Sequence, residues 1–216
     1  MDHAFIGCAT GAPEGDALLR LGFAEGSRNT HPGQGTANRR FFFENFMLEL
    51  VWVADQAEAQ SDRTRRTRLW ERCQRGDDHV SPFGIIFRSS ALPPAAPPFA
   101  TWSYAPIYLP PGLAIQIAEG TSLDEPELFY LPFLRRGAMS TEPVAHALPI
   151  RRIRAVSVGV RNREALSESS RSAQKHGLVG YFVSPQPLLE ILFDGPAGMR
   201  IDLRPDLPLL FRGAST

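Results

Sequence analysis

The stretch FMLELVWV, Phe46 to Val53, constrains this chain more than any other. Side chains alternate along a strand, so Phe46, Leu48, Leu50 and Trp52 share one face and Met47, Glu49, Val51 and Val53 the other. Both faces are apolar except at Glu49. Such a strand is covered on both sides, or lines a cavity on one. A carboxylate on an apolar face is costly to bury alone, so Glu49 calls for a metal, a proton or an arginine such as Arg39 or Arg40.

The residues before it organise around that strand. Arg40–Phe43 reads as its antiparallel partner, joined by Glu44-Asn45, a two-residue hairpin connection in which Asn tolerates positive φ. Upstream, His31–Asn38 holds Gly33 and Gly35, either the ingredients of an anion nest or simply the means of tight turning. It leads into a strand rather than a helix and is no phosphate-binding P-loop. His31, Asn38 and Arg39 are carried as candidate substrate contacts. Residues 2–9 read as a strand with His3 and Phe5 on one face and Asp2, Ala4 and Ile6 on the other. A short helix follows from Pro13 to Leu21, stopped by Gly22, and Phe23 opens another strand. The first 53 residues thus read β-α-β-β-β.

Residues 56–75 are polar and Arg-rich, predicting a solvated helix anchored by Leu69 and Trp70. Strands are expected at 81–88, 113–118 and 128–133. Between the first two, residues 89–111 carry seven prolines and the aromatics Phe99, Trp102, Tyr104 and Tyr108, which read as a lid over a cavity or as loop anchors. Trp102, and Gln116 on its strand, are further candidate substrate contacts. Toward the end, strand 153–160, helix 162–176 and strands 179–184, 188–193 and 199–203 restore the opening order. The expected architecture is α+β: a single domain over 1–216, with βαβββ modules at 2–53 and 150–212 around an inserted middle, 54–149.

Composition excludes several classes. Basic and acidic residues balance at 23 each, which disfavours a nucleic-acid surface. The most apolar run is far too short to span a bilayer and contains Glu49, and the start lacks the pattern of a signal peptide. Two cysteines, Cys8 and Cys73, are too few for a disulfide framework or a Cys-based zinc site. A cytoplasmic protein with no membrane or nucleic-acid partner is expected.

The segments DHAFIG at 2–7, LGF at 21–23, HPGQGTANRRFFF at 31–43 and MLELVWV at 47–53 together resemble the glyoxalase-like branch of the vicinal-oxygen-chelate superfamily. The resemblance implies two βαβββ modules forming a curved mixed sheet whose concave side holds a small-molecule ligand. It implies an enzyme, a lyase, isomerase or dioxygenase, acting on a small oxygenated molecule, with a metal-free binding protein as the alternative. In metal-using members the first strand of a module supplies a His and the fourth a Glu, positions held here by His3 and Glu49. That pair suits one divalent cation, Zn²⁺, Ni²⁺, Fe²⁺ or Mn²⁺. In the second module Ala155 falls where another His would stand, and Asp202, between Arg200 and Arg204, is the candidate third ligand. Relatives are commonly homodimers, so a homodimer is carried as an expectation.

Overall fold

The computed structural model of the chain describes residues 1–74, 76, 79–89, 95–133 and 141–214. The first module runs β1 (His3–Gly7), α1 (Gly15–Arg20), β2 (Asn29–His31), β3 (Thr36–Phe42) and β4 (Met47–Val53). The short helices α2 (Gln56–Ala59) and α3 (Leu69–Cys73) follow, then β5 (Phe83–Arg88), β6 (Thr101–Tyr104), β7 (Ile115–Ala118) and β8 (Glu127–Leu131). These eight strands form one curled, mixed half-barrel sheet in the order β2-β3-β4-β1-β5-β8-β7-β6. Its order is symmetric. In each half the first strand runs parallel to the last, β1 beside β4 and β5 beside β8. The halves meet at an antiparallel β1–β5 seam where His3 stands opposite Ile86.

The α+β curved sheet is as expected, but its second half comes from 83–131 rather than from 150–212. The last part of the chain adds β9 (Ile153–Val160), α4 (Glu168–Lys175), β10 (Gly180–Val183), β11 (Leu188–Asp194), β12 (Arg200–Asp202) and β13 (Leu209–Ala214). They form a separate five-stranded sheet, β10-β9-β11-β13-β12. Here β9 lies between β10, parallel across α4, and β11, antiparallel, and never meets the last strand. The order of elements repeats while the pairing does not. The true second half was hidden because, among the described residues, no helix stands between β5 and β6, where prolines interrupt any helical pattern.

The two sheets explain the doubly apolar β4. Leu48 and Leu50 point to the back of the half-barrel, where Ile6, Ile85 and Leu128 pack with Val158, Leu189 and Phe211 of the five-stranded sheet. On the concave side, Val51 packs with Phe5, Ile86 and Phe129, and α3 closes over it with Leu69 and Cys73. The hairpin is as read, with Phe43 N–H donating to Phe46 O across Glu44-Asn45. Asn45 then clamps the second sheet, accepting from Ile153 N and donating to Ile153 O, both at 2.8 Å. The Arg-rich stretch is not one solvated helix. It breaks at Arg68 (φ 54°), and Arg72 is fully buried, donating to the carbonyls of Ser81 and Glu125 beside Glu127.

Leu50 is fully buried at the junction of the sheets. Leu50→Ala should cost about 2–5 kcal/mol through lost burial and a residual cavity. Urea unfolding would read this as a lower midpoint at unchanged slope.

Candidate small-molecule site

Strand alternation puts His3 and Phe5 of β1 and Glu49 and Val51 of β4 on the concave face, with Phe5 directly opposite Glu49. His3 Nε2 lies 3.9 Å from Glu49 Oε2. The other ring nitrogen, Nδ1, is 2.7 Å from Asp2 Oδ2, and Asp2 Oδ1 is held by Arg88 Nε at 3.0 Å. Glu49 Oε1 accepts from Asn38 Nδ2 at 2.9 Å, while Asn38 Oδ1 accepts from Asn29 N at 3.0 Å. A continuous polar chain, Arg88–Asp2–His3–Glu49–Asn38, thus crosses the middle of the sheet.

The electrostatics follow from that chain. Burial disfavours the His3 imidazolium, but Glu49 and then Asp2 outweigh it, and the His3 pKa is raised. Burial pushes the Asp2 carboxyl up, His3 and Arg88 pull it down further, and the net shift is downward. His31 goes the other way: burial lowers its pKa, and Glu49 compensates only in part.

The pair opens into a cavity of about 380 Å³. Its charged and imidazole groups come from the first half of the sheet, and the second half supplies its far wall, with Ile86, Phe129, Leu131 and Phe133 beside Tyr104. Tyr108, from the Pro-rich segment, closes one side. Its hydroxyl donates to Gln34 Oε1 at 3.1 Å and its ring lies 5.0 Å from that of His31. Of the segment 89–111, residues 90–94 lie outside the described residues; Tyr104, Tyr108 and Leu109 stand at the cavity wall.

Of the residues singled out from sequence, His3, Glu49 and His31 line this cavity and Asn38 braces Glu49 from behind. Arg39 does not reach it. Its register partner is Leu50, on the opposite face, and its guanidinium is bound by Ala12 O, Asp16 and Glu25. The arginine that does line the cavity is Arg40, opposite Glu49. Gln116 is hydrogen-bonded to Ser103 Oγ outside the cavity, while its neighbour Ile115 lines the wall. Trp102 lies beyond the wall, under the Arg66 guanidinium at 4.2 Å. Asp202 is on β12 of the other sheet, exposed and paired with Arg200 and Arg204. Sequence reasoning missed Asp2, placed on the opposite face from His3. The strand begins only at His3, so alternation does not govern the residue before it.

A glyoxalase-like domain model matches residues 1–173, from β1 through the entire eight-stranded sheet and into α4. The chain belongs to the glyoxalase-like domain family. Among solved structures, a hypothetical protein from Staphylococcus aureus is similar at 11% identity and a TM-score of 0.50, covering 100% of this chain and 98% of that one, which shows likeness of fold. No curated protein matches the sequence. Among the described residues, no helix is long and apolar enough to cross a membrane.

The residues of this glyoxalase-like site do not fit a divalent metal. Asp2 engages His3 Nδ1 and Asn38 engages Glu49 Oε1, leaving one nitrogen and one oxygen as free donors. Across the seam, β5 and β8 offer Ile86, Phe129 and Leu131, hydrocarbon where further ligands would stand. Among the described residues, no group of three His, Cys, Asp or Glu could hold a metal ion. Protein metal sites ordinarily use three or four such ligands.

The His3 imidazolium should titrate above the ordinary value of 6.5, followed through its ring proton by NMR. Glu49→Gln should lower that midpoint. Because the folded pKa is the higher one, the pair contributes fully to stability below 6.5, and that contribution is lost as pH rises through the folded value. Glu49→Gln should therefore flatten the alkaline fall in stability.

Proposed function

We propose that this glyoxalase-like chain takes a small oxygenated organic molecule into the concave cavity and moves a proton on it without a metal. Glu49 acts as the base and His3, braced by Asp2, supplies the complementary acid. The observation that carries this reading is the 3.9 Å placement of Glu49 Oε2 and His3 Nε2, each with its second polar atom already engaged, on the floor of a 380 Å³ space. A general base works when it is within hydrogen-bond reach of the proton it takes and is held in one orientation. Asn38 supplies that hold for Glu49, and Asp2, accepting from Nδ1–H, holds the His3 imidazolium with Nε2–H toward the cavity. Abstraction beside a carbonyl leaves an enediol or enolate, and the imidazolium is placed to neutralise the developing oxyanion.

A second reading, binding without turnover, draws on the wall. Ile86, Phe129, Leu131 and Phe133 offer a large apolar surface and no further chemistry, which suits sequestration of a hydrophobic compound. The readings part on one measurement. In D₂O, the wild-type protein should accelerate loss of the α-C–H proton signal of α-hydroxyacetophenone (CH₂), acetoin (the CH bearing the hydroxyl) or phenylacetone (CH₂). Glu49→Gln should reduce that acceleration on the order of 10²-fold or more. Equal exchange by wild type and Glu49→Gln on all three would retire proton transfer and leave the binding reading.

A further inference from the structure

We propose that the polar end of the ligand is one neutral hydroxyl group, seated between Glu49 Oε2 and His3 Nε2, and that its body is an apolar group of about the size of a substituted phenyl ring. This rests on the reading of the cavity as a small-molecule site, and deepens it.

The argument is one of hydrogen-bond accounting. Glu49 Oε1 is committed to Asn38 and His3 Nδ1 to Asp2. What remains at the floor is one carboxylate oxygen and one ring nitrogen, 3.9 Å apart. That separation is too long for them to satisfy each other and right for one guest atom between them. An oxygen about 2.8 Å from both subtends an angle of about 90°. A hydroxyl there donates to Oε2 and accepts from Nε2–H of the imidazolium. The surroundings disfavour other head groups. A ligand carboxylate brings no proton for Glu49 and meets like charge. An ammonium brings no acceptor for Nε2–H and meets the imidazolium, with Arg88 behind it and Arg40 along the wall. An ether oxygen accepts from His3 but leaves Oε2 without a donor, the costly outcome for a buried polar atom.

The remaining charged and titratable groups agree. Arg40 is turned toward Ser27 and Glu142, and Asp2 is taken up by His3 and Arg88, so neither is free to claim a second charged group of the ligand. His31 is held by Thr36 Oγ1 and Tyr108 by Gln34, while the Tyr104 hydroxyl is buried within the wall with no partner among the described residues. Beyond the floor, Phe5, Ile86, Phe129, Leu131 and Phe133 present rings and branched chains only, matched to an aromatic or aliphatic body. The volume, about 380 Å³, stands at the small end of ligand sites.

Four probes that share a tolyl body and differ in the head test this: p-cresol, 4-methylanisole, p-toluate and 4-methylbenzylammonium. Their affinities would be measured by calorimetry, and their location by amide shifts of β1 and β4 in heteronuclear NMR. We expect p-cresol to shift those amides and to bind at least about 10-fold more tightly than each of the others, the loss that follows from one missing bond to a charged group. In Glu49→Leu the preference for p-cresol over 4-methylanisole should vanish. Comparable binding of all four to the wild type, or a p-cresol preference that survives Glu49→Leu, overturns the hydroxyl assignment while the cavity reading stands. If none of the four moves a β1 or β4 amide, the cavity reading itself fails. The wild-type series requires no variant to fold.

Discussion

A carboxylate on the apolar inner face of a central strand is the constraint on which the rest of the structure depends. Glu49 cannot be left alone there, and the molecule answers with Asn38 on one oxygen and His3 facing the other. His3 in turn needs Asp2, and Asp2 needs Arg88 from across the seam. One buried charge thus recruits residues from β3, β1, the residue before β1, and β5. The polar chain is also a statement about assembly, since the site exists only when β1 lies between β4 and β5.

The second sheet bears on the site without touching it. By covering Leu48 and Leu50 from behind, it leaves the other side of β4 open to carry chemistry. A half-barrel with a wet back would have to fill its concavity to stay folded; here the core is supplied from outside the curve. The Pro-rich connection contributes in its own way. Its end brings Tyr108 over His31, bonded to Gln34.

Much of this was legible in the chain, and the failures are instructive. The alternation in FMLELVWV announced two buried faces and one anomalous glutamate, and both are there because a strand's period of two leaves little freedom. The hairpin at Glu44-Asn45 was legible for the same local reason. Pairing is not local, and there the reading failed. The strand at 153–160 was located to the residue, yet it was assigned to the wrong sheet, because the order β-α-β-β-β does not say whether the first strand joins the last or the second and third. Parity misled at single positions too. Choosing Arg39 over Arg40 as the cavity residue is a one-residue error that moves a guanidinium to the opposite face of the sheet. Tyr108 as a partner of Gln34 is a contact across 74 positions that no local pattern encodes.

The symmetry of the eight-stranded sheet has a last implication. Its halves share a pairing scheme, but among the described residues one supplies the charged and imidazole groups lining the cavity, His3, His31, Arg40 and Glu49, while the other lines it with hydrocarbon and the phenols of Tyr104 and Tyr108. Recognition and reactivity are thereby housed in separate stretches of chain. Substitutions at Ile86, Phe129 or Leu131 can reshape which bodies fit while the reactive end stays as it is. A scaffold divided this way is open to changes of specificity by drift in one half alone, and that half is where diversity among close relatives of this chain should collect.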